Sequence, residues 1–169
     1  MKKILFYLFF ASAICIQTNS IIAQESTEVS DRINYKHGLG MAAGFTTGYG
    51  LSYRYCPSRW TIQGTFAPYK SDYSKSLSLG IAFMYNVVET RTTSFFVYEG
   101  NHYRYNEVLD NSTNIYPEDN KHQWNNGLGI GIEFLIFKRV SFNLMGGYAS
   151  YDAFREINVT GETGLFYKF

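Results

Sequence analysis

The residues of this chain best suited to acid–base chemistry are its three histidines, His37, His102 and His122. A hydrolase needs a nucleophile, a base and a group that orients the base. Such a set would combine His102 or His122 with Ser112 and with Asp110 or Glu118, but no local His-x-Ser arrangement is present. No histidine stands at metal-ligand spacing from a cysteine or another histidine. We therefore predict no catalytic, metal or cofactor site and interpret the histidines as solvated loop residues.

Charged residues within otherwise uncharged segments are the second candidates for chemistry. Arg54 and Glu133 each occupy the small-residue face of a segment in which large and small residues alternate. Charges that are buried on such a face must be paired. The positions predict an ion pair between Arg54 and Glu133, with Glu162 adding a carboxylate nearer mid-height. A structural role in filling the interior is favoured over catalysis.

The segments that hold these residues alternate with a period of two, which is typical of β-strands with two different faces. In residues 77–87, Leu, Ile, Phe, Tyr and Val alternate with Ser, Gly, Ala, Met and Asn. Related patterns predict seven further strands, and no segment has convincing helical periodicity. The fifth strand, about residues 93–105, changes parity near Glu99 and Gly100, which predicts a β-bulge there.

The connections between these strands differ in length in a regular way. The short ones are residues 56–59, 89–92 and 138–139, and the longer ones are residues 70–76, 106–123 and 152–157. Short connections at one end and long connections at the other indicate an up-and-down arrangement of antiparallel strands. Only the first connection, residues 46–48, is short at the long-loop end.

The composition of the two strand faces predicts which of them points outward. One face carries large apolar residues, whereas the other is mostly Gly, Ala, Ser, Thr, Asn and Gln. A soluble barrel would expose Lys, Glu and Asp on its polar face. Small residues instead fit the narrow interior of an eight-stranded barrel, and large apolar residues fit lipid. We therefore predict an all-β, eight-stranded antiparallel up-and-down transmembrane β-barrel that is too narrow for an open pore.

Aromatic residues near both ends of the predicted strands indicate the interfacial girdles of a membrane barrel. The residues assigned to the girdles are Trp60, Trp124, Tyr103, Tyr105 and Tyr148.

The N-terminal region has the order of a secretory signal peptide: two lysines, an apolar stretch and a small residue at Ala23. We predict a signal peptide at residues 1–23, a flexible periplasmic leader at 24–36 and the barrel domain at 37–169. The mature chain would keep Cys56 as its one cysteine and form no intramolecular disulfide. It would carry 13 basic and 14 acidic residues, a balance that disfavours nucleic-acid binding.

The last eight residues, E-T-G-L-F-Y-K-F, resemble the terminal strand signal of bacterial outer-membrane barrels through Gly164, Tyr167 and Phe169. With its size and connection pattern, the mature chain resembles small eight-stranded outer-membrane proteins of the OmpX/OmpA-barrel type. The resemblance implies the bacterial outer membrane as location, periplasmic chaperones, and insertion by the barrel-assembly machinery, which would recognise Tyr167 and Phe169. It implies no particular activity, because such barrels serve as adhesins, structural anchors and lipid-modifying enzymes.

The function predicted from the sequence is therefore non-enzymatic: a monomeric barrel, in contact with outer-membrane lipid, with a structural or surface-interaction role. Adhesion or partner docking would use the long connection 106–123. Two alternatives stay open. An outer-membrane lipid A acyl hydrolase would release acyl chains from lipid, and a secreted lipocalin-like carrier would stay in the aqueous phase on detergent partitioning.

Overall fold

The computed structural model describes residues 35–70, 74–108 and 122–169 of the chain. The predicted signal peptide, residues 24–34 of the predicted leader and most of the long connection lie outside these residues. The eight β-strands are β1 (His37–Gly44), β2 (Gly50–Tyr55), β3 (Trp60–Lys70), β4 (Ser74–Glu89), β5 (Thr93–Val108), β6 (His122–Phe137), β7 (Val140–Tyr151) and β8 (Glu156–Lys168). No helix in the described part of the chain is long and apolar enough to cross a membrane.

The strands form a closed antiparallel barrel, which confirms the predicted fold. Each strand pairs with its sequence neighbours, and β8 pairs with β1. Following paired positions once round the barrel from Lys168 leads to Asn158, ten residues away on the same strand. For eight strands this stagger corresponds to a strand tilt of about 40°. Ten residues of strand then rise about 25 Å, the height of the apolar band of an outer-membrane barrel.

The apolar face of the barrel points outward, as predicted. Leu79, Ile81, Ile130 and Leu144 expose 42%, 44%, 71% and 48% of their surface. The interior instead holds buried Ser, Thr, Asn and Gln side chains together with a small apolar cluster. Such an exterior is stable against lipid rather than water. It is the opposite of the lipocalin-like arrangement, in which apolar side chains face the interior.

The register of β5 corrects the sequence analysis. Its pairing with β4 and β6 runs without a shift through Glu99 and Gly100, so the β-bulge predicted there is wrong. The register shifts lie instead between Asn86 and Val88 and between Leu135 and Phe137, near the short-turn end. Because β5 is regular, Glu99 points outward into the apolar band. The alternation in the sequence is interrupted because a polar residue stands on the apolar face, and the backbone of β5 stays regular.

The strands also differ in length, which makes the long-loop end uneven. β4, β5 and β6 each have 16 residues, whereas β1 has 8 and β2 has 6. The wall formed by the three long strands therefore continues where β1 and β2 have already ended.

Candidate functional site

A charged cluster lies inside the barrel at the short-turn end. Arg54 Nη1 donates a hydrogen bond to Glu133 Oε2 at 2.7 Å, and Lys168 Nζ pairs with the other oxygen of that carboxylate. Arg54 Nε donates to Gln63 Oε1 at 2.8 Å, and the guanidinium carbon lies 3.7 Å from the centroid of the Phe166 ring. Two cations thus hold one carboxylate in a nearly closed site. The sequence analysis did not predict Lys168 as a member of this cluster. Lys168 belongs to the last eight residues of the chain, which were interpreted only as an assembly signal.

Glu162 forms a separate site nearer mid-height and does not join Arg54 and Glu133. Its Oε1 atom accepts hydrogen bonds from the backbone N of Thr46 at 3.2 Å, from the Thr46 hydroxyl and from Thr160 Oγ1 at 3.3 Å. Among the described residues, its Oε2 atom is buried without a hydrogen-bond partner. The carboxylate therefore binds the first connection of the chain rather than a basic side chain.

We call the first connection, residues 45–49, the plug loop. Residues 46–48 fold into the barrel, whereas the side chain of Phe45 stays 62% exposed. Thr46 and Thr47 are fully buried. A Cβ atom on Gly127 of β6 would lie 2.6 Å from the Thr46 side chain, and a Cβ atom on Gly80 of β4 would collide with the Thr47 carbonyl oxygen. Glycine therefore makes room for the plug loop at both positions. The connection that is short at the long-loop end is therefore also the one that turns inward.

His102 helps to hold the plug loop, so its interpretation as a solvated residue is wrong. Its Nε2 atom lies 2.9 Å from Ser78 Oγ and its Nδ1 atom 3.0 Å from the Phe45 carbonyl oxygen. Asn125 Nδ2 donates to the same carbonyl at 3.1 Å. With Nδ1–H donating to the carbonyl, Nε2 accepts from the Ser78 hydroxyl, as in a nucleophile–base pair. Both side chains are buried, and the Tyr49 ring packs edge-on against His102 at 5.8 Å.

His122 occupies a different environment, at the start of β6. Its ring is exposed, and Nδ1 lies 2.6 Å from the Tyr103 hydroxyl oxygen. Ser112, Asp110 and Glu118, the predicted hydrolase partners, lie outside the described residues. Within residues 35–70, 74–108 and 122–169, no group of three or more His, Cys, Asp or Glu side chains is placed to hold a metal ion.

The residues of the predicted assembly signal lie on β8 and directly after it, where the barrel closes. The backbone of Phe169 exchanges hydrogen bonds of 2.9 and 3.1 Å with His37, and the two rings stack with centroids 5.7 Å apart. Tyr167 Oη accepts a hydrogen bond from Nη1 of Arg139, in the turn between β6 and β7, at 3.2 Å. This bond raises the pKa of the Arg139 guanidinium. Gly164 is buried and faces the interior. The recognition role of these residues stays a prediction.

The predicted girdle residues lie at both ends of the barrel. Trp60, the first residue of β3, is 57% exposed at the short-turn end, and Trp124, near the start of β6, is 46% exposed at the other end. Tyr103 packs against Trp124, with ring centroids 6.1 Å apart. Tyr105 follows on the same strand face, and Tyr148 of β7 is exposed. Their contact with the membrane interface remains a prediction.

A solved structure of similar fold supports the barrel. No protein-family model matches the chain, and no curated protein sequence matches it. The chain is similar to the N-terminal β-barrel domain of Pseudomonas aeruginosa OprF, with 13% identity, a TM-score of 0.51 and coverage of 79% of this chain and 95% of that one. Neisserial surface protein A has 12% identity, a TM-score of 0.49 and coverage of 79% and 94%. Ail, the attachment invasion locus protein of Yersinia pestis, has 17% identity, a TM-score of 0.36 and coverage of 79% and 96%.

The closed barrel and its exterior together indicate where the chain resides. A membrane-spanning sheet must satisfy all of its backbone groups internally, and closure of the barrel does so. The exposed apolar band has the height expected for an eight-stranded barrel of the outer membrane. The chain is therefore an outer-membrane β-barrel.

Proposed function

We propose that this barrel is a non-enzymatic protein of the bacterial outer membrane with a structural or surface-interaction role and without an open pore. The filled interior is the observation that carries the proposal. The plug loop occupies the interior toward the long-loop end, and Glu162 binds it from nearer mid-height. Arg54 and its partners fill the short-turn end. This occupied interior supports a barrel without a continuous water-filled path.

Surface interaction is proposed for the long-loop end, where β5 and β6 extend past the plug loop. Exposed or partly exposed aromatic rings line this extension: Tyr105 and Tyr103 lie 5.1 and 6.0 Å from the ring of His122. Aromatic side chains contribute large contact areas to protein interfaces. We propose that the connection 106–123, together with this extension, provides the contact surface for adhesion or partner docking.

Two measurements on the folded protein test the proposal. In planar lipid bilayers we expect no steady conductance, and in vesicles containing outer-leaflet lipid we expect no release of acyl chains. A heat-modifiability gel would first establish that the sample is folded. Steady single-channel conductance, or acyl release above that of empty vesicles, would show that the proposed function is wrong.

The Ser78–His102 pair favours a hydrolase as the second candidate function. This reading requires the plug loop to leave the interior, because both side chains are buried beneath it. The Ser78→Ala variant separates the two candidates. If acyl release occurs and Ser78→Ala abolishes it in a folded barrel, the pair is catalytic, whereas an inactive wild-type protein favours the role of an anchor for the plug loop.

The biogenesis partners are part of the same proposal. Periplasmic chaperones and the barrel-assembly machinery would handle the unfolded chain, with Gly164, Tyr167 and Phe169 as the recognition signal. Outer-membrane lipid would surround the folded barrel through its apolar band.

A further inference from the structure

A polar patch interrupts the apolar exterior on β5 and β6. Glu99 points outward between Phe83 of β4 and Leu128 of β6, which are 40% and 63% exposed. Along β5 it is four residues from Phe95 and four from Tyr103, so it lies about 10 Å from each along the barrel axis. This position is near the middle of the apolar band. A carboxyl group at this depth is unfavourable in contact with lipid alone and marks a candidate functional site.

Two asparagines extend the patch toward the long-loop end. Asn101 of β5 and Asn126 of β6 are cross-strand partners on the outward face. Asn101 Nδ2 donates to Glu99 Oε1 at 2.6 Å, and Asn126 Oδ1 accepts from Trp124 Nε1 at 2.8 Å. Within the described part of the chain, Asn101 Oδ1 and Asn126 Nδ2 take part in no hydrogen bond. The patch therefore presents one unused acceptor and one unused donor side by side.

We propose that this patch is the intramembrane interface between two copies of the chain. Two copies inserted in the same direction are related by a two-fold axis along the membrane normal. An axis that passes between β5 and β6 places Asn101 of each copy against Asn126 of the other. The unused donor then meets the unused acceptor twice, once on each side of the axis. Glu99 becomes covered by β6 of the second copy and loses its contact with lipid.

A second copy fits the patch better than the other available occupants. An acyl chain has neither donors nor acceptors, and a lipid headgroup does not reach the middle of the band. A basic segment of another protein would satisfy Glu99 but would place a cation beside Asn126 Nδ2, which is also a donor. The patch is complementary to itself because it carries both kinds of group at neighbouring positions. The chain was expected to be monomeric from its sequence, and the exterior of β5 and β6 is the reason to propose otherwise.

Energy transfer between labelled copies in vesicles tests this interface. The full mature chain is labelled at Cys56, in a short turn away from the patch, with a mixture of donor and acceptor dyes. We expect the wild-type protein to show energy transfer that falls as lipid is added. The Asn101→Leu/Asn126→Leu double variant should dissociate at a protein-to-lipid ratio about tenfold higher than the wild-type protein. This factor corresponds to the loss of two hydrogen bonds, each about as strong as those between helices in a membrane.

The matched control is Thr163→Val. Thr163 also faces outward and bonds only within its own sheet, donating to the Asn143 carbonyl at 3.0 Å, but it lies on β8. We expect this variant to associate as the wild-type protein does. Energy transfer that is absent from the wild-type protein at every lipid ratio, or equal in the double variant, would overturn the proposal.

Cysteine cross-linking gives a second test that does not depend on the double variant folding. In a Cys56→Ser background, Glu99→Cys copies mixed with Leu128→Cys copies should form a disulfide-linked dimer on oxidation in the membrane, because the axis places these two positions of different copies against each other. Leu165→Cys, which is 51% exposed on β8, should not. Cross-linking through Leu165→Cys alone would place the contact on the wrong face and refute the inference. The test is independent of conductance and acyl release, so its outcome is separable from that of the proposed function.

Discussion

The substitution Arg54→Met tests whether the charged cluster stabilises the barrel. Methionine is an unbranched apolar side chain that replaces the stem of Arg54 but cannot bind Glu133. The site offers that carboxylate little water, because the side chains of Arg54 and Glu133 are 3% and 11% exposed. We expect the free energy of unfolding to fall by about 3 kcal/mol.

The magnitude follows from the contacts that are lost and those that remain. Removing one partner of a buried ion pair destabilises a protein by about 3–5 kcal/mol. Loss of the guanidinium contact with the Phe166 ring adds roughly 0.5–2 kcal/mol. Against this, Lys168 still pairs with Glu133, and methionine keeps part of the packing. The lower end of the first range is therefore the expected value.

The assay is equilibrium urea unfolding of the barrel in lipid vesicles, followed by tryptophan fluorescence. A double-mutant cycle with Glu133→Gln isolates the pair, and we expect the two losses to overlap by about 1.5–3 kcal/mol. Arg91→Met serves as the control, because Arg91 is exposed in a short turn, and it should leave the transition unchanged. A loss below about 1 kcal/mol for Arg54→Met, or strictly additive losses, would refute the reasoning.

Three further predictions follow from the plug loop, from one strained residue and from the last residue of the chain. Gly80→Leu should displace the plug loop and lower the free energy of unfolding by about 1–3 kcal/mol in the urea assay, whereas Gly161→Leu, which points outward with no atom within 4 Å of its Cβ position, should leave it unchanged. Ala153 has a φ of 54°, so Ala153→Gly should raise the free energy of unfolding by up to about 1 kcal/mol in the urea assay. Phe169→Ser should lower the folded, heat-modifiable fraction in cells but not in spontaneous refolding into vesicles, and equal losses in both would contradict a recognition role.

The fold and the outward facing of its apolar residues were predictable because both depend on local patterns. A period of two places every second residue on the same face of a strand. The small residues on one face identify it as the face that lines the narrow interior. The proximity of Arg54 and Glu133, which are 79 residues apart in sequence, was predictable for the same reason: both occupy the inward face at the short-turn end. In such a narrow barrel, two opposite charges at the same height along the barrel axis lie close enough to form an ion pair.

The plug loop was not predictable from its own residues. Its direction depends on Gly80 and Gly127, which stand on β4 and β6 and leave space that the loop fills. The burial of His102 depends on the same packing, because Ser78 and the Phe45 carbonyl reach it only when the loop is inside. No feature of residues 45–49 alone distinguishes this inward connection from a short exposed turn.

Glu99 shows most clearly what the sequence predicts and what only the tertiary structure decides. Its parity conflict was visible in the sequence, but a bulge and an outward carboxyl group produce the same irregularity in the pattern. Only the register with β4 and β6 decides between them, because pairing partners come from distant parts of the chain. The sequence alone therefore determined the barrel, its facing and its membrane environment, since these depend on side-chain period and size. The tertiary structure decided what closes the interior and which polar groups meet lipid, since these depend on which strands become neighbours.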